Sequence, residues 1–306
     1  MRTSTLAAVQ LLTAWIAERA GEIERERRIP RDVLDALVAA GCCRMVLPAA
    51  YGGDELRLAD MLAVVETLAR ADGAVGWTVG QIALAHLIFA FLPEDGRAEI
   101  FANGPDVIGA GAFAPKGKAM REDGGWRVTG RWPFATGCAD AAWVYVQCVT
   151  VEGRKIRLAP TGMPETRVMV FPAREIEIVD TWHVVGLRGT GSHDVGVAKA
   201  HCPDRRSCAL SAQPAVASTI FRIPLMDHAG LFIAAAAVGV AQAAIDDIVA
   251  LAMSGKRPAF SPRRLAEDPV FQDRLGEAHM TLRASRALLY AQAENAWETA
   301  AGGAVA

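Results

Sequence analysis

The chain has 306 residues, of which 52% are hydrophobic and 22% charged, with a formal net charge of −2. That length suits two or three units with substantial cores rather than one small domain, and a near-neutral balance with no basic block interleaved with aromatics leaves no field for nucleic acid. Cysteines at 42, 43, 138, 148, 202 and 208 make no C-x-x-C pair; they read as reduced thiols in a cytoplasm and exclude a disulfide-stapled secreted module.

An apolar run opens the chain, but Glu18, Glu22 and Glu24 follow at once and no small-residue cleavage site stands out. The start therefore reads as an amphipathic helix, not a signal peptide. A shorter helix is expected from about Pro30 to Ala40, with Pro30 in its first turn and Gly41 as its stop. Leu58, Met61, Leu62, Val65, Leu68 and Ala69 form a stripe at helical spacing. Residues 1–108 are thus expected to be an N-terminal helical domain.

From 109 to 205 the texture changes to short β-rich runs separated by glycine, proline and charge: 126–129, 143–151, 155–159, 167–171, 175–179 and 194–198. Residues 175–179 (EIEIV) alternate as a half-buried strand should, and strands at this spacing predict an antiparallel barrel or sandwich. Helical texture returns over 206–306, in two segments at 226–253 and 269–299, the second with Phe271, Leu275, Ala278, Leu282 and Leu289 near helical spacing. Residues 229–245 (AGLFIAAAAVGVAQAAI) are marginally short for a bilayer, contain Gln242 and run into Asp246 and Asp247. They predict a helix buried on most sides of a bundle, not a membrane span. The expected fold class is α+β multidomain: helices, then a central β-barrel, then an incomplete helical bundle.

The stretch 126–137, WRVTGRWPFATG, sets two tryptophans, a phenylalanine and hydroxyls between glycines. It suits a tight strand-turn-strand, or a platform for a flat ring. His86 lies in an otherwise apolar helical run, where a core histidine and a functional one are both open readings. The remaining histidines, at 183, 193, 201, 228 and 279, show no ligand spacing such as H-E-x-x-H, so no metal site is expected. No G-x-G-x-x-G opens a helix after a strand, which argues against a nicotinamide fold.

The order of elements, with five stretches, resembles the acyl-CoA dehydrogenase fold family and within it the two-component flavin-dependent monooxygenases. Those stretches are LPAAYGG (47–53), ADGAVGWTVG (71–80) with the later His86, WRVTGRWPFATG, DTWHVVGLRGTGSHDV (180–195) and the segment 255–290. The resemblance implies that Phe134 and Thr136 face a flavin ring, FAD or FMN, which needs apolar contact for its ring system and a hydrogen-bond partner at N5 and O4. It implies that Trp132, Gly137 and Trp182 complete the ring pocket, and that Arg257 and Gln272 reach phosphate, often across a subunit boundary. The match at that arginine is partial, because Pro258-Ala259-Phe260 replaces the family's phenylalanine-glycine. It further implies that Trp77, Ser192 and His193 bind substrate and that His86 and Thr136 act in catalysis. A homo-oligomer, dimer or tetramer, and a separate flavin reductase as partner follow from the same resemblance.

Within the family a dehydrogenase needs a carboxylate base to take the proton α to a thioester carbonyl. Matching Asp227 to the aspartate that opens the first long C-terminal helix puts Ala229 at one family position for that base and Gly230 where an arginine usually follows. The other position falls in final helices that would be expected beyond the weak tail AAGGAVA, and Glu267, Glu277 and Glu294 sit where ordinary helix surface is expected. An oxygenase needs instead a dry pocket for reduced flavin while oxygen adds at C4a; Thr136 and His86 suit as donors, with Phe134, Trp132 and Trp182 excluding water. The expectation is a monooxygenase hydroxylating an aromatic or polycyclic small molecule. An acyl-CoA dehydrogenase, or a truncated non-catalytic member of the family, stand as alternatives.

Overall fold

The computed structural model describes residues 4–303 apart from 154, 212, 213, 215 and 217. The first three residues of the opening run and the last three of the tail lie outside the described residues. Six helices come first: α1 (Thr5–Glu18), α2 (Ala20–Glu26), α3 (Arg31–Ala39), α4 (Leu58–Ala71), α5 (Gly73–Phe89) and α6 (Glu94–Ile100). The stripe read in the sequence is the buried face of α4. α5 differs, because apolar residues cover it all round and nearly every one is buried, as a central helix requires. Its start is fixed by Asp72, whose carboxylate accepts from the backbone N–H groups of Ala74 and Val75 at 2.8 and 3.0 Å.

Eight strands follow: β1 (Gly109–Glu122), β2 (Gly125–Ala135), β3 (Trp143–Glu152), β4 (Lys155–Ile156), β5 (Thr166–Pro172), β6 (Glu177–Val179), β7 (His193–Pro203) and β8 (Ser207–Cys208). They make one sheet in the order β6-β7-β2-β1-β3-β5-β8, with β4 paired to β3. The sheet curls until Cys202 Sγ on β7 meets Val170 O on β5 at 3.8 Å. The expected all-antiparallel barrel needs two corrections. β1 and β3 run parallel, and among the described residues no ladder joins the end strands β6 and β8. The 14-residue β1 was not anticipated, while 175–179 shrinks to the three-residue edge strand β6.

The parallel pair positions the site. β1 turns tightly into β2 at Asp123–Gly124, so to reach the far side of β1 the chain must cross over the strand ends before entering β3. That crossover is residues 136–142, and it passes the start of β1, where Gly109 pairs with Trp143. α5 packs on the same end of β1.

The chain closes with α7 (Leu225–Met253) and α8 (Pro269–Ala301). α7 is long and apolar enough to cross a membrane by length and composition, yet it packs on α4 and α5. It was expected to be buried on most sides; instead one face is buried, through Phe232, Ala235, Ala236 and Gly239, while Ile233, Val240 and Met253 are exposed.

Candidate functional site

Two loops meet over the end of α5: the β2–β3 crossover and the segment 180–192 that leads into β7. Trp132 and Phe134 would share one face of a regular strand, but the register of β2 against β7 shifts between Trp132 and Ala135. Trp132 therefore points inward and is fully buried, its Nε1 donating to Gln147 O at 2.6 Å. Its expected place at the flavin ring is corrected: it fills the sheet core, against the Cα atoms of Gly117 and Gly130. Phe134 turns outward in the left-handed region (φ +67°) and is 68% exposed. Trp182 stands beside it, ring centroids 6.0 Å apart in an edge-on arrangement.

Behind this aromatic pair runs a line of hydroxyls. Trp77 Nε1 on α5 donates to Thr136 Oγ1 at 3.2 Å; Thr136 and Ser192 hydroxyls lie 2.8 Å apart, as do those of Ser192 and Thr190. Thr190 Oγ1 donates to Leu187 O at 2.9 Å. Thr136, Ser192 and Thr190 are buried, and Gly137 N donates to Thr190 O at 2.9 Å, tying the two loops together. Gly137 has φ +67°, a left-handed turn that favours glycine.

On the other side of the Gly137 turn lies a cavity of about 150 Å³. Its apolar wall is Ile29, Leu34, Ile82 and Ile108; its polar side comprises Arg28, Asp140, Thr78, Thr190 and His193. Arg28 and Asp140 form an ion pair at 2.5 Å. Arg27 clamps Asp180 at 2.6 and 2.8 Å and donates to Trp182 O, pinning the 180–192 loop to the end of α2. Arg27 beside it holds the Asp180 carboxyl down at about 2. His193 Nδ1 faces the backbone N–H groups of Thr181 and Trp182, each at 3.3 Å; burial lowers its pKa while Asp180 opposes the shift.

Three other expected site residues lie elsewhere. His86 follows Thr78 and Ile82 on α5, but eight residues of helix turn the stripe by about 80°, and its ring sits beneath the cavity between Phe89 and Phe101. Nε2 donates to Val107 O at 2.8 Å, and burial drops the imidazole to about 4. Its expected place at the flavin pocket is corrected: the ring packs in the core and does not line the cavity. Arg257 and Gln272 are exposed in and after the α7–α8 loop, bonded to Pro262 O and Ala266 O, away from the cavity. Within this chain they do not join the site. Trp77, expected to touch substrate, holds Thr136 instead, and Ser192 likewise bonds only to hydroxyls.

Sequence reasoning missed Arg28, Thr78, Ile82, Ile108 and Asp140, which reach the cavity from four separate segments. Only Thr78 and Ile82, one helical turn apart on α5, carried any local sign of a shared face. Among the described residues, no group of three His, Cys, Asp or Glu side chains could hold a metal ion.

Comparison with known proteins agrees with this architecture. Residues 6–102 match the family model "Acyl-CoA dehydrogenase, N-terminal domain" and residues 231–306 match "Acyl-CoA dehydrogenase, C-terminal domain". The chain is 33% identical to an indole-3-acetate monooxygenase of Pseudomonas putida, over 95% of this chain and 73% of that one. It is 30% identical to the oxygenase component of an FADH2-dependent resorcinol hydroxylase of Rhizobium sp. strain MTP-10005, over 88% and 68% of the two chains. Among solved structures, 3-HSA hydroxylase from Rhodococcus sp. RHA1 superposes with a TM-score of 0.90 at 27% identity, covering 99% of this chain and 79% of that one. XiaF from Streptomyces sp., solved in complex with FADH2 and glycerol, gives 0.89 at 26% identity, with 99% and 76% covered. The chain belongs to the acyl-CoA dehydrogenase family, in its branch of oxygenase components of two-component flavin-dependent monooxygenases.

Proposed function

We propose that this flavin-dependent oxidoreductase hydroxylates a small aromatic molecule of one or two rings, using reduced flavin delivered by a separate reductase. The observation that carries this reading is the apolar cavity directly behind the Gly137 turn. A partly open space of about 150 Å³ suits a benzene-sized ring, which favours a compact aromatic over a polycyclic one.

The residues at the turn fit a flavin. Phe134 offers exposed aromatic surface with the half-buried Trp182 edge-on beside it, and Thr136 nearby offers a hydroxyl for the polar edge of the ring. Bound reduced flavin would supply the two electrons with which dioxygen leaves one atom on the substrate ring and the other in water. The chain's own part is to place the ring in the cavity with Ile82 and Ile108 against its faces, and to leave Arg28, Thr78 and His193 for its polar substituents. We assign Phe134, Thr136, Gly137 and Trp182 to flavin and His193 to substrate. Arg257 and Gln272, exposed and bound only to local backbone, are free to meet flavin phosphate on a neighbouring copy, which suits a homo-oligomer. Buried free cysteines at all six positions suit a reducing compartment such as the cytoplasm. The relatives named for monooxygenation support this function over desaturation, for which α7 offers Ala229 at the first base position.

The test is turnover under 18O2 with FMN or FAD kept reduced by an added reductase, offering indole-3-acetate and resorcinol as probes. A product carrying one 18O atom is expected. Oxygen consumption that yields only hydrogen peroxide with every aromatic probe, alongside bleaching of oxidised flavin by an acyl-CoA, would overturn the assignment in favour of a dehydrogenase.

A further inference from the structure

A hydroxyl has one hydrogen to give and two lone pairs to receive with, and this rule admits a single arrangement for the line behind Phe134. Thr190 lies 2.9 Å from Leu187 O, and a carbonyl can only accept, so the Thr190 hydrogen points there. The 2.8 Å contact between Thr190 and Ser192 then needs the hydrogen of Ser192. The 2.8 Å contact between Ser192 and Thr136 in turn needs the hydrogen of Thr136. Trp77 Nε1 can only donate, so Thr136 also receives at 3.2 Å. With its hydrogen spent inward and one lone pair filled, Thr136 has one lone pair left and no donor.

We propose that Ser192 and Thr190, with Trp77, act as positioning residues that lock Thr136 as a hydrogen-bond acceptor, so that the turn selects reduced over oxidised flavin. The inference rests on the assignment of Thr136 to the flavin N5 edge. N5 of oxidised flavin carries a lone pair and would face a second lone pair, whereas N5 of reduced flavin carries a hydrogen that Thr136 can accept. The two hydroxyl-to-hydroxyl links are buried and the bonds that end the line are part-buried, so water has little access to reverse its middle. Both ends are anchored by groups with no choice of role, an indole N–H and a backbone carbonyl. An oxygenase component that receives its flavin already reduced gains from such a filter, because the spent, oxidised flavin is the form that must leave.

The experiment is anaerobic titration of oxidised and of dithionite-reduced FMN and FAD into the purified full chain, giving the ratio of the two dissociation constants without any turnover. Wild type should bind reduced flavin more tightly. Thr136→Val should weaken reduced flavin by about tenfold, the size of one lost hydrogen bond. Ser192→Ala frees the Thr136 hydrogen to point at N5, and should lower the oxidised-to-reduced ratio by about tenfold, chiefly by tightening oxidised flavin. Thr190→Val, close to isosteric, should move the ratio the same way if Ser192→Ala fails to fold, and Ser192→Thr should restore it. An unchanged ratio in Ser192→Ala and Thr190→Val, with Thr136→Val still weakening reduced flavin, would overturn the acceptor lock and leave the flavin assignment standing. No effect of Thr136→Val on either form would overturn the flavin assignment and the lock with it.

Discussion

Replacing His86 separates a core histidine from a catalytic one. The imidazole is 1% exposed, and burial lowers it from 6.5 to about 4. The folded chain therefore holds it neutral, while the unfolded chain takes up a proton near pH 6.5. Its contribution to stability is complete above that pH and is lost as the pH falls towards 4. One pKa unit corresponds to about 1.4 kcal/mol, so the 1.5 units between pH 6.5 and 5 cost about 2 kcal/mol, rising to about 3.4 kcal/mol below pH 4. His228, also held near 4 by burial with Nε2 on Ile220 O, adds a term of the same sign and size. Urea unfolding at pH 7 and pH 5 should show a loss in His86→Leu that is smaller than the wild-type loss by about 2 kcal/mol. The variant pays a pH-independent cost for the orphaned Val107 carbonyl, about 1–3 kcal/mol, while flavin affinity and coupling of oxygen to product should be unchanged. An identical pH dependence in wild type and variant, or coupling lost in a folded variant, would refute the placement of this ring in the core.

Gly117→Ala would put a methyl group 1.9 Å from the Trp132 ring; thermal unfolding should register a loss of about 1–3 kcal/mol, partly restored by adding Trp132→Phe. Ile82→Phe should fill the cavity, weakening a benzene-sized probe such as resorcinol by tenfold or more with little change in melting temperature, as followed by calorimetry. Phe134→Gly should relieve the left-handed backbone and stabilise the fold by about 1 kcal/mol, while weakening flavin several-fold in the same titration.

What the sequence disclosed depended on how local each feature is. α7 and α8 repeat an apolar texture over many turns, so their bounds could be read within a residue or two, and the stripe of α4 stood out in the same way. β1 hid because GAGAFAPKGKAMRE is poor in β-branched residues, and the structure gives the reason: Phe89, Tyr145 and Trp132 lie so near its backbone that only small residues fit at Gly109, Gly111 and Gly117. Part of the candidate site was legible for the same reason of locality. Phe134, Thr136, Gly137, Ser192 and His193 stand in two short strings, whereas Arg28, Ile82 and Ile108 come together only through the crossover of a parallel pair. Trp132 misled because strand alternation places it on the same face as Phe134, and the register shift that parts them leaves no mark in composition.

Backbone strain follows the same geography. Phe134 and Leu187 are two of only six non-glycine residues with positive φ among the described residues, and Gly137 and Gly191 add left-handed turns within the same two loops. Leu187 supplies the carbonyl that ends the hydroxyl line, and Phe134 stands two residues before Thr136. A side chain in that conformation costs about 1–2 kcal/mol, and Phe134, mostly exposed, regains little of it by packing. Strain of this kind persists where surrounding contacts over-determine the backbone. Here those contacts are the Gly137 N–H to Thr190 O bond, the three linked hydroxyls and the Arg27 clamp on Asp180. The loops are thus held in a shape that a stability optimum would not choose, with an aromatic surface outside and a cavity with one apolar wall within. A ring on each side of a single turn is the arrangement that a reaction between flavin and a second aromatic demands.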